Sequence, residues 1–170
     1  MRVTVAVALL LAAVPAFAQG SLPNRTPPLR WQRFATGRFS VEMPGRPATQ
    51  SHMLKALNGR PVLYTTYTVE FARSIYITST SDYDEETVVS LDRAIDGLLS
   101  TWKDPQNLVR RKTMLFGMPA QTVDCTYEGQ RVIVWTFLVG RRVYQLTFGE
   151  VLGDFRTAHA DRFMKSFRLR

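Results

Sequence analysis

The chain has 170 residues, of which 45% are hydrophobic and 11% aromatic, a composition that supports one domain with a real core and excludes the low-hydrophobicity signature of disorder. Lys and Arg number 22 against 14 Asp and Glu, a formal charge of +8. The single cysteine, Cys125, excludes an internal disulfide, so stability rests on packing.

Arg2, an apolar run over residues 3–14 and the small residues of Ala16-Phe17-Ala18 read as a secretory signal peptide over 1–18, too short for a membrane span. The protein is therefore expected outside the cytoplasm, periplasmic or extracellular, after cleavage near Ala18. Gln19 and Gly20 stand where a lipidated cysteine would be, so no lipid anchor is expected. Residues 19–30, with Pro23, Pro27 and Pro28, form a flexible leader, and one folded domain covers 31–170. Nothing after residue 18 is apolar for long enough to span a bilayer.

Phe39-Ser40-Val41-Glu42-Met43 alternates and stops at Pro44-Gly45, as a half-buried strand does. Asn58-Gly59 predicts a hairpin turn pairing 52–57 with 62–71, and 74–80 gives another strand. From Asp84 the period changes. Val88, Leu91, Ile95, Leu98 and Trp102 predict one face of a helix, with Asp82, Asp84, Glu85 and Glu86 read as residues of its start and Asp82 or Asp84 as its cap.

Strands follow at 108–115, 120–127, 130–139 and 142–148, separated by Gly117-Met118-Pro119, Glu128-Gly129 and Gly140-Arg141. Phe155, Phe163, Met164 and Phe167 predict a closing helix. With two-residue turns, Val123, Cys125, Val132, Val134, Leu138 and Val143 share one face of the meander. Ile133, Trp135, Phe137, Val139, Tyr144, Leu146 and Phe148 share the other. Both faces are apolar, so both need covers. The expected fold class is α+β: a central antiparallel sheet covered by helices on both faces, an α/β/α sandwich.

Three patterns carry a resemblance. Residues 38–47, Arg-Phe-Ser-Val-Glu-Met-Pro-Gly-Arg-Pro, resemble the opening strand and turn of bacterial members of the PsbP-like family, relatives of an extrinsic photosystem II subunit. Gly117-Met118-Pro119-Ala120 is similar to the turn before a later strand, and residues 162–167, Arg-Phe-Met-Lys-Ser-Phe, resemble the closing helix. Ala120 and Gln121-Thr122 depart from the pattern. The resemblance implies a sheet between helices and non-enzymatic binding or assembly work. It implies neither a carried-over metal site nor photosynthesis.

No catalytic, metal or cofactor site is expected. His52, His159 and Cys125 lack zinc-ligand spacing, and Cys125 on a valine face reads as an inert buried thiol. The acidic cluster departs from a calcium loop at Thr87 and Arg93. Ser100-Thr101-Trp102-Lys103 matches S-x-x-K without its companion motifs.

The best positive clusters are Arg110, Arg111 and Lys112 with Arg141 and Arg142, expected to approach one another at one sheet end and to fork onto a partner's carboxylate or phosphate. The competing reading is ordinary solvated edge charge. The expected function is an exported, non-catalytic accessory or assembly domain that binds another envelope protein or an anionic envelope component. A small-ligand or lipid carrier is the alternative, and nucleic acid is not an expected partner.

Overall fold

The computed structural model describes residues 29–56 and 59–170. The expected signal peptide, most of the leader, and Asn58 of the first hairpin turn lie outside them. In chain order the elements are β1 (Gln32–Ala35), β2 (Phe39–Met43), β3 (Ala48–Lys55), β4 (Pro61–Phe71), β5 (Ser74–Asp82), α1 (Leu91–Ser100), β6 (Gln106–Leu115), β7 (Met118–Tyr127), β8 (Gln130–Val139), β9 (Arg142–Val151), α2 (Thr157–Lys165) and β10 (Arg168–Leu169). They form a seven-stranded antiparallel sheet, ordered β3-β4-β5-β9-β8-β7-β6, and a three-stranded sheet, β1-β2-β10.

The hairpins follow from local chemistry. Glu128 and Gly129 both take positive φ, 48° and 75°, as a two-residue hairpin turn requires, and this sets Tyr127 opposite Gln130. That register places Val134 opposite Val123 and Thr147, and Trp135 opposite Thr122 and Leu146. The expected division of the meander into two apolar faces follows. Val123, Cys125, Val132 and Val134 pack with Ile95 and Leu98 of α1, whereas Phe137, Tyr144, Leu146 and Phe148 pack with Phe163 and Met164 of α2.

The covers differ from expectation, and the α/β/α sandwich is not the architecture. The protein is mainly β, with two antiparallel sheets and two short helices. The physical reason is width. Seven strands about 4.8 Å apart span about 29 Å, and a helix of 9 residues, such as α2, rises only about 14 Å. The three-stranded sheet supplies much of the cover: Phe39 of β2 stacks on Phe167 at 5.5 Å and meets Tyr144 of β9 at 6.1 Å. On the opposite face α1 packs on β7 and β8.

Three further corrections are local. The first helix begins at Leu91, so Val88 lies outside it and is 66% exposed. Its N-cap is Ser90, without a side-chain cap bond, while Asp82 and Asp84 bind arginines instead. The turn after β6 is Phe116-Gly117, at φ 53° and 77°, with Met118 and Pro119 already in β7. Phe155 and Phe167 flank α2 rather than lie within it, although Phe167 is fully buried.

One cross-strand row on the α1 face is polar along its whole length. Lys112, Gln121, Thr136, Gln145, Ser79, Thr66 and Gln50 stand opposite one another in succession across all seven strands. Gln121, Thr136, Gln145 and Ser79 are buried, and Gln145 Nε2 donates to Thr136 Oγ1 at 3.2 Å. Buried polar groups need such partners. The row separates the apolar cluster around Tyr64, Tyr83 and Val143 from that around Val123, Val132 and Leu98.

Candidate functional site

β6 is an outer strand of the large sheet, and alternation sends its basic side chains to opposite faces. Arg110 stands opposite Val123 and Lys112 opposite Gln121, on the α1 side. Arg110 donates from Nη1 to Asp96 at 2.6 Å, from Nη2 to Asp92 at 2.9 Å, and from Nε to Gln121 Oε1 at 2.7 Å. Lys112 Nζ donates to Asp92 at 3.1 Å. Asp92 also accepts from Gln121 Nε2 at 2.8 Å, and these bonds hold its carboxyl below the usual range, Gln121 foremost. Two of the expected contact residues thus clamp α1 to the sheet edge.

Arg111 faces the other way. It stands opposite Thr122, which stands opposite Trp135. These residues, with Val109, Asp124 and Ile133, line a groove of about 190 Å³ along the sheet face. Phe116 packs beside Trp135, its ring 6.2 Å from Trp135 and 5.6 Å from Phe137. At Asp124, Arg131 donates from Nη2 at 2.7 Å and Nε at 3.0 Å, with its guanidinium 4.3 Å from the Phe155 ring centre. Leu108, Val109, Met114 and Phe116 are all at least 40% exposed, four of the eight large apolar side chains so exposed among the described residues. Of these Val109 lines the groove, which joins an apolar floor of Ile133 and Trp135 to the Arg111 guanidinium and the Asp124 carboxylate.

Arg141 and Arg142 do not join this group, because β7 and β8 stand between β6 and β9. Arg141 Nη1 donates to the Asp84 carbonyl at 3.0 Å and the Thr87 carbonyl at 3.3 Å. Arg142 pairs with Asp82, which also accepts from Arg38 at 3.1 Å. Asp84 and Glu86 pair with Arg60.

Other reactive side chains have structural partners. Burial, and then the charge of Asp124, push the Cys125 thiol up to about 11. Glu150, 3% exposed, accepts from Ser74 Oγ at 2.7 Å and from the Arg156 amide at 2.5 Å, satisfying a donor at the start of α2. His159 lines a cleft with Ser74 and Glu150, but its Nδ1 meets Tyr76 Oη at 3.4 Å, so serine, carboxylate and imidazole form no relay. Burial, then Arg156, lowers the His159 pKa. Among the described residues no group of three or more His, Cys, Asp or Glu is placed to hold a metal ion.

Sequence reasoning named the three basic residues of β6 but missed Trp135 and Phe116 as their surroundings. The available signal was a phenylalanine at a turn position beside Gly117, where bulky apolar residues are uncommon. No protein-family model matches the chain, and no curated protein matches it. No helix among the described residues is long and apolar enough to cross a membrane.

Proposed function

We propose that this chain is an exported accessory or assembly domain that binds another envelope protein along β6 and the groove beneath Arg111. The carrying observation is the split of the basic run: Arg110 and Lys112 are held by α1 carboxylates, while Arg111 lines a groove floored by Trp135 and Ile133. An edge strand offers backbone hydrogen bonds to an added segment, and its side chains select the partner. Here the groove face favours a segment that alternates acidic and apolar residues.

The test places a photo-crosslinking residue at Thr113 on β6 and, as control, at Leu152, which is 50% exposed elsewhere. The reading expects one envelope protein captured from Thr113 and lost in Arg111→Glu. Equal capture from Leu152, or capture unchanged by Arg111→Glu combined with Trp135→Ala, overturns it.

A further inference from the structure

The large sheet ends in two edges that are guarded differently. Monomeric proteins blunt an edge with charge, proline or a bulge, because its unpaired backbone groups invite another strand. β6 carries three cations and a register shift between Gln106 and Val109. β3 carries only one of these devices, Lys55 at its last position, and its residues 48–54 contain no Asp, Glu, Lys, Arg or Pro. Its eight residues pair with β4 in unbroken register, and seven of the eight are exposed. Among the described residues nothing pairs with its outer side. Met53, 65% exposed, stands opposite Leu63, 40% exposed, on one face of this edge.

We infer that β3 is a self-association edge, on which a second copy of this chain pairs antiparallel and joins two seven-stranded sheets across a two-fold axis. Charge selects this occupant. An acidic segment finds no cation over 48–54, whereas an uncharged strand meets its own copy without like charges in opposition. Self-pairing of β6 would set cations against cations. Directly opposite residues of an antiparallel pair share a face, so the axis passes through a residue rather than between two. With the axis at Ser51, Thr49 meets Met53, Ala48 meets Leu54 and Gln50 meets His52 of the other copy. Each apolar side chain then lies against a methyl group, and the two imidazoles stay apart.

A single strand pair is smaller than the interface of a permanent dimer, so association is reversible and weak. Both copies carry +8 and the joined edges are uncharged, so added salt tightens the dimer by screening the repulsion. Binding of an acidic partner through Arg111 responds in the opposite sense, which separates failure of one reading from failure of the other.

Sedimentation equilibrium from low micromolar to near-millimolar protein tests the inference. A monomer–dimer equilibrium that strengthens with salt is expected. Ser51→Lys sets like charges face to face on the axis and weakens association by about tenfold or more. Because Ser51 Oγ also bonds Thr65 at 3.0 Å, Gln50→Lys, on the other face, provides a second variant: its lysine lies diagonal to its own copy, so a smaller loss in the same direction is expected. Circular dichroism checks that both variants fold. Ser51→Cys gives a covalent dimer on mild oxidation, since opposed Cα atoms lie about 4.5–5.5 Å apart, within disulfide reach. A monomer at every concentration, dimers indifferent to both lysine variants, or equal crosslinking from Thr113→Cys on β6 overturns the inference.

Discussion

Arg110 and Arg111 are neighbours in the chain and face opposite sides of the sheet. Arg110 lies under α1, bonded to Asp92, Asp96 and Gln121, and Arg111 lines the groove with Trp135. Their replacement separates stability from binding. Arg110→Ala leaves the buried Gln121 carbonyl without its donor and costs about 1 kcal/mol in urea unfolding. Arg111→Glu leaves the unfolding midpoint nearly unchanged and lowers partner capture about tenfold or more, through a charge reversal at the contact.

Gly149 is where β9 tolerates no side chain. A Cβ there would lie 3.0 Å from Ile75 Cγ2 and 3.1 Å from Gln130 Oε1, both on buried residues. Gly149→Ala is expected to destabilise by about 1–3 kcal/mol, as overpacking does. Calorimetry of Gly149→Ala, with Ile75→Leu as a partial rescue that removes the branch carrying the nearest methyl, Cγ2, checks both sign and cause.

Phe167 joins the two sheets. Its ring lies 5.5 Å from Phe39, 5.1 Å from Phe137 and 5.7 Å from Tyr144, and it is fully buried. Phe167→Ala should cost about 3–5 kcal/mol in chemical unfolding. Faster amide exchange in β2 and β10 than in β8 would show that the small sheet loosens first.

Alkaline pH should weaken the fold. The Cys125 thiol is held up to about 11, and burial pushes the phenols of Tyr76 and Tyr83 up to about 12. Each folded pKa is raised, so the folded state holds its proton more tightly. That contribution is fully present below the unfolded pKa and is lost as pH rises through the folded one. The window opens near pH 9 for Cys125, at its ordinary value, and extends to about 12 for the tyrosines. Unfolding free energies at pH 8 and near the top of the window should differ less in Cys125→Ala than in the parent, by on the order of 1–3 kcal/mol. An equal difference in both would remove the thiol from the account.

What the residues determine by themselves is local. Alternation over 130–148 with the Glu128-Gly129 and Gly140-Arg141 turns specifies the meander and both of its apolar faces, because side chains alternate and short turns set register. The basic residues of β6 are legible as an edge for the same reason. The covers are not legible, since they depend on contacts between distant parts of the chain. Arg168 pairs with Ser40 and Leu169 with Phe39, and Phe167 stacks on Phe39, only once the chain has closed on itself, so the second sheet has no local signature. Likewise, no pattern within 106–115 tells that Asp92 and Asp96 will occupy Arg110 while Arg111 lines the groove with Trp135. That division was decided when α1 packed on one face of the sheet, bringing its carboxylates to one side of β6 and none to the other.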